Sequence, residues 1–101
     1  MEVMWKMLIL ITYDVNTETP SGRKRLRQVA KACVDYGQRV QNSVFECEAD
    51  AGQFLKIKDR LVKLIDHERD SLRFYMLGSD RRKVEHFGCK PSIDVNAPLV
   101  L

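Results

Sequence analysis

Residues 7–15 carry Leu, Ile, Thr, Tyr and Val almost without a polar break. A run this short and this rich in β-branched residues predicts a buried central strand rather than a helix. It ends at Tyr13-Asp14-Val15, and the polar stretch 16–22, with Pro20 and Gly22, predicts a loop. Leu26, Val29, Ala30, Cys33 and Val34 then recur at i, i+3, i+4, i+7 and i+8, the apolar stripe of an amphipathic helix. Thr19 or Ser21 is placed to cap it, and Tyr36-Gly37 to end it. Over 39–48 the period drops to two: Val40, Asn42, Val44 and Glu46 share one face, and Gln41, Ser43, Phe45 and Cys47 the other. That alternation predicts a second strand. Residues 49–52 break it, and Asp50 and Gln53 have the spacing of a capping box. A second helix follows, with Phe54, Ile57, Leu61, Leu64 and Ile65 inward and Lys56, Asp59, Arg60 and Lys63 outward. Residues 72–77 predict a third strand closed by Gly78, and 83–87 a short fourth ended by Gly88. Residues 93–95, between Pro91 and Pro98, predict a short fifth.

Two helices among these strands argue for an α+β domain in which both helices pack on one face of an antiparallel sheet. The ferredoxin-like split βαβ arrangement has the order βαββαβ. The chain reaches that order only if 39–48 form a bent or longer ribbon, or if 70–87 divide differently. The domain is expected over 7–88, with 1–6 as an N-terminal extension and 89–101 as a C-terminal segment. Met1, Met4 and Met7 are all possible starts.

Composition narrows the class without naming a function. With 101 residues, 45% hydrophobic and 31% charged, the chain is sized for one globular domain with a thin core, which a second copy would help to bury. The apolar run near the N-terminus is far too short to span a bilayer. Cys33, Cys47 and Cys89 form no CxxC motif, and Cys33 and Cys47 sit among apolar neighbours, which fits a reducing cytoplasm. The net charge of +3 is modest, but residues 23–39 hold Arg23, Lys24, Arg25, Arg27, Lys31 and Arg39 against Asp35 alone. Such a cluster suits phosphate contacts, which set affinity and salt dependence but read no bases. It equally suits an ordinary solvated helix face. Asp14 also has two readings: a carboxylate leaving the sheet edge where ligands collect, or a turn residue for the loop that follows. Thr12 shares its side of the strand. His67 and His86 have no partner at metal-ligand spacing and are expected at the surface, with His86 facing solvent.

Tyr13-Asp14-Val15, the basic first helix, the block Arg39-Val40-Gln41-Asn42-Ser43-Val44-Phe45-Glu46 and the later Leu72-Arg73-Phe74-Tyr75-Met76-Leu77-Gly78 together resemble the CRISPR-associated protein 2 family. The match covers roughly 7–88, and Arg-x-Gln-x-Ser-Val-Phe-Glu is its most specific part. The resemblance implies a ferredoxin-like βαββαβ sandwich with an antiparallel sheet and an extra short C-terminal strand, forming a homodimer. It implies that the segment around 93–95 pairs with the partner's sheet. It implies a metal-dependent, sequence-nonspecific endonuclease, a phosphodiesterase acting on DNA or RNA during spacer acquisition. The alternative it implies is a non-catalytic dimeric scaffold bridging the CRISPR-associated integrase (CRISPR-associated protein 1) and protospacer DNA. On the first reading Asp14, from both chains, is the catalytic and metal-holding residue for Mg²⁺ or Mn²⁺, which favour oxygen ligands. Arg23, Lys24, Arg25, Arg27 and Arg39 become the nucleic-acid contacts, and Tyr13, Ser43 and Phe45 auxiliary residues, with Phe45 expected in the core.

Overall fold

The computed structural model describes residues 6–77 and 83–89. Its elements run β1 (Met7–Asp14), α1 (Pro20–Tyr36), β2 (Gln38–Gln41), β3 (Val44–Ala49), α2 (Ala51–Leu64), β4 (Ser71–Leu77) and β5 (Lys83–Gly88). The strands form one sheet in the order β2-β3-β1-β4-β5, with every neighbouring pair antiparallel. The first six elements make the ferredoxin-like βαββαβ unit, and β5 is the additional strand at the far edge.

The hairpin β2–β3 corrects the expected single strand over 39–48. Asn42-Ser43 form the turn, Gln41 lies opposite Val44, and Arg39 lies opposite Phe45 with an irregular register between them. The two-residue turn shifts the parity of a period-two pattern, putting Gln41 opposite Val44, and the irregularity between Arg39 and Gln41 shifts it back, so Arg39 pairs with Phe45 and Gln38 with Glu46 as one continuous alternation would have them. Only β3 turns that alternation into burial, with Phe45, Cys47 and Ala49 inside and Glu46 and Glu48 outside. All four residues of β2 are exposed. The expected strand over 93–95 and the closing Gly78 lie outside the described residues.

Both helices start on side-chain caps. The Thr19 hydroxyl accepts the Gly22 N–H at 3.1 Å, with Pro20 in the first turn, where its missing N–H costs nothing. Asp50 and Gln53 close the reciprocal capping box at 2.8 and 2.9 Å. Val29, Ala32 and Cys33 of α1 and Phe54, Ile57 and Leu61 of α2 bury against Ile9, Ile11, Tyr13, Phe45, Cys47, Leu72, Phe74 and Met76 of the sheet. Val34, expected inward, is 56% exposed. It lies about 140° round the helix from Val29, beyond the edge of the buried stripe. An Arg60–Asp35 ion pair at 3.1 Å and the Arg60 guanidinium over the Tyr36 ring join the two helices.

Strand alternation assigns Leu8, Leu10, Thr12 and Asp14 of β1 to the opposite, helix-free face. Register adds Val44, Glu46 and Glu48 from β3, Ser71, Arg73, Tyr75 and Leu77 from β4, and Val84 and His86 from β5. Leu10 and Tyr75 are nevertheless buried there, outside the main cluster. This face is therefore apolar at its centre and charged around it.

Candidate nucleic-acid and metal site

Asp14 is the last residue of β1 and is exposed. β1 is the central strand, paired with β3 over Met7–Thr12 and with β4 over Leu8–Asp14. Its cross-strand neighbour is Ser71. A carboxylate at the end of the most fully paired strand has a fixed origin and a solvated tip. Arg73, opposite Thr12, is its diagonal neighbour on the same face.

Tyr13 points the other way. It is buried, stacks on Phe45 with ring centroids 6.0 Å apart, donates its N–H to the Ser43 carbonyl at 3.1 Å, and reaches the Asn42 carbonyl with its hydroxyl at 3.4 Å. Burial pushes its phenol pKa up. Phe45 is wholly buried, with the Arg39 guanidinium 5.1 Å above its ring. Thus Tyr13, Ser43 and Phe45 do come together, around the β2–β3 turn and on the helix side of the sheet. Ser43 enters through its backbone carbonyl. Asp14 lies across the sheet from this group.

The expected cationic residues divide. Arg23, Lys24 and Arg27 are exposed on the helix layer, and Arg39 is exposed on β2. The Arg23 guanidinium bonds the Thr17 carbonyl at 3.2 Å, which keeps it over the loop after β1. Arg25 turns inward instead. Only 15% of its side chain is exposed, and its Nε sits 2.8 Å from Asp70 Oδ2 while Nη2 sits 3.3 Å from Oδ1.

Asp70 is a residue that sequence reasoning missed. It is fully buried, and its carboxylate also accepts the Asn16 N–H at 3.0 Å and the Asp66 N–H at 2.8 Å. Burial by itself would raise its pKa, but these hydrogen bonds, led by Arg25, hold it below the usual carboxylate range. The Asp70 carbonyl accepts from Cys89 N–H at 3.0 Å, so β5 ends on the same residue. Gly88 has φ +110°, and a Cβ there would overlap the Asp70 carbonyl. Gly22 similarly lets the Asn16 carbonyl approach α1. In the sequence Asp70 follows His67-Glu68-Arg69, a run that reads as solvated loop.

His86 is half-buried beside Arg73 rather than facing solvent, and its pKa is lowered by burial and then by that cation. His67 is exposed, with Nε2 3.0 Å from the Val62 carbonyl. Among the described residues no group of three His, Cys, Asp or Glu side chains is gathered to hold a metal. At the end of β1 one chain offers one exposed strand-end carboxylate, Asp14. That fits Mg²⁺, which keeps several waters and is commonly held by one or two carboxylates together with substrate phosphates.

Residues 7–84 match the family model described as CRISPR associated protein Cas2. The chain is 61% identical to the CRISPR-associated endonuclease Cas2 of Halalkalibacterium halodurans, over 93% of this chain and 99% of that one. It is 59% identical to a CRISPR-associated endoribonuclease Cas2 of Rhodospirillum rubrum, over 93% and 100%. Among solved structures it is similar to Streptococcus pyogenes Cas2, with a TM-score of 0.67 and 66% identity, covering 73% of this chain and 89% of that one.

Proposed function

Because the chain belongs to the CRISPR-associated protein Cas2 family, we propose that it is a CRISPR-associated, metal-dependent, sequence-nonspecific endonuclease whose site is completed by a second copy of itself. The observation that carries this reading is the exposed Asp14 carboxylate, held at the end of the central strand on the helix-free face. Around the buried Leu10 and Tyr75 that face leaves Leu8, Leu77 and Val84 partly exposed, so a second copy has apolar surface to cover. An interface between identical faces is isologous, and a two-fold axis passing near Asp14 brings two carboxylates together. Asp14 from each chain would hold Mg²⁺ or Mn²⁺, which supplies an activated water and offsets charge building on a phosphodiester. The exposed Arg23, Lys24, Arg27 and Arg39 bind the backbone of DNA or RNA by charge, with no base readout. The protein works in the cytoplasm during spacer acquisition.

The test is Asp14→Asn, assayed on DNA and on RNA in Mg²⁺ and in Mn²⁺, with dimer mass followed in parallel. Cleavage should vanish while the dimer persists. A variant that cuts as fast as the parent overturns the proposal.

A second reading, a dimeric scaffold between the CRISPR integrase and protospacer DNA, is favoured by one observation. The exposed cations of α1 lie on the helix layer, on the other side of the sheet from Asp14. On this reading spacer acquisition survives Asp14→Asn and is lost when Arg23, Lys24 and Arg27 become Gln together. Loss of acquisition in an Asp14→Asn protein that still binds the integrase and DNA refutes it.

A further inference from the structure

Asp14 is bounded on both sides by the same buried carboxylate. Two residues after it, the Asn16 N–H is tied to Asp70 Oδ1. Across the ladder from it stands Ser71, the residue next to Asp70. The Asp70 side chain also binds α1 through Arg25 and the 66–70 turn through the Asp66 N–H, and its carbonyl anchors the end of β5. Three segments thus meet on one side chain, and a fourth on the same residue's backbone, at the end of β1.

Stability alone is a weak reason for such an arrangement. A buried ion pair is often no better than well-packed apolar side chains of the same volume, because desolvating two charges offsets their attraction. What the pair supplies here is direction. Arg25 presents Nε and Nη2 side-on, which fixes the carboxylate plane, and that plane aims Oδ1 at Asn16. We infer that Asp70 and Arg25 are positioning residues for Asp14, forming a clasp that sets where its carboxylate leaves the sheet. This rests on the reading of Asp14 as the metal-holding group. It also moves Arg25 from the phosphate-binding surface to the support of that carboxylate, so Arg25 and its neighbour Arg27 must fail in different ways.

The experiment compares Arg25→Lys, Asp70→Asn, Arg27→Gln and Asp14→Asn in the full chain. Arg25→Lys keeps the charge and loses the side-on pair of N–H donors. Three quantities are read: Mn²⁺ binding by electron paramagnetic resonance without nucleic acid, nucleic-acid affinity in EDTA, and hydrogen exchange at the Asn16 amide. Arg25→Lys should weaken Mn²⁺ binding roughly tenfold, the usual scale for a group that orients a metal ligand. It should also speed Asn16 exchange and leave nucleic-acid affinity at the parent value. Arg27→Gln should lower nucleic-acid affinity and leave Mn²⁺ binding alone. If Asp14→Asn weakens Mn²⁺ binding and Arg25→Lys does not, the clasp is overturned while the metal site stands. A loss of nucleic-acid affinity in Arg25→Lys matching that of Arg27→Gln overturns it as well. If Asp14→Asn binds Mn²⁺ like the parent, the metal reading fails, and Asn16 exchange then decides the clasp: unchanged exchange in Arg25→Lys overturns it, and faster exchange supports it. Should Asp70→Asn not fold, Arg25→Lys carries every comparison.

Discussion

Phe45 lies in the block most specific to the family, so loss of activity on its replacement invites a catalytic explanation, and the packing argues otherwise. It is wholly buried, stacked on Tyr13, with the Arg39 guanidinium over its ring. Truncation to Ala removes a ring from a close-packed site, at a cost of about 3–5 kcal/mol for a Phe→Ala change. Loss of the Arg39 contact adds about 0.5 kcal/mol, because that guanidinium is solvated. A small domain holds about 5–15 kcal/mol in all. Each kcal/mol moves the melting temperature of a domain this size by about 4–8 °C, so Phe45→Ala should melt roughly 14–44 °C below the parent. Phe45→Leu keeps most of the volume and should cost under about 1.5 kcal/mol. Thermal melts by far-UV circular dichroism check this, at one fixed protein concentration because self-association would make the melting temperature depend on it. If Phe45→Ala melts within about 5 °C of the parent, a threshold set by the 4–8 °C scale, the core assignment is wrong.

The Asp70 carboxyl titrates lower in the folded chain than its unfolded value near ~3.9, so its contribution is complete above that pH and lost as pH falls through the folded value. The urea midpoint of the parent should therefore drop below about pH 4, and that of Asp70→Asn should drop less; equal acid sensitivity refutes the assignment. Gly88→Ala forces a side chain into left-handed backbone against the Asp70 carbonyl and should cost about 1–3 kcal/mol in urea unfolding; an unchanged midpoint is the contrary result. Cys89 is exposed, while Cys33 and Cys47 are buried and the Cys33 thiol is pushed up to about 12 by burial and then by Cys47. A thiol reagent should thus label one cysteine quickly and the other two only on unfolding, and three fast thiols would contradict the packing.

Much of the scaffold is legible in the sequence because its signals are local. The apolar run of β1, the stripe of α2 and the Asp50–Gln53 box each lie within a few residues, and each forms as its spacing predicts. The β2–β3 hairpin is hidden because its turn uses Asn42-Ser43 with no glycine, and because β2 is exposed throughout and buries nothing to mark a change of strand. Val34 mixes an apolar side chain with an outward position, which periodicity alone does not separate. The Arg25–Asp70 pair is illegible for a different reason: its members lie 45 residues apart, and each sits in a charged stretch that reads as solvent-facing. Asp14 is visible as a strand-end carboxylate, but which side of the sheet it takes follows only once Ile9, Ile11 and Tyr13 are seen buried with the helices.

The pairing of β1 also bears on how the protein is made. This strand is complete once residue 14 has been synthesised, yet one of its two neighbours, β4, ends at Leu77. At about 5–20 residues per second the nascent chain carries Ile9 and Ile11 without that neighbour for on the order of several seconds. Long-range pairing of this kind is intrinsically slow to form and exposes apolar strand to aggregation meanwhile. Holdase chaperones acting on the emerging chain should accordingly raise the yield of folded protein, and the end of β1 that carries Asp14 meets its β4 partner Ser71 before the other end meets Leu77.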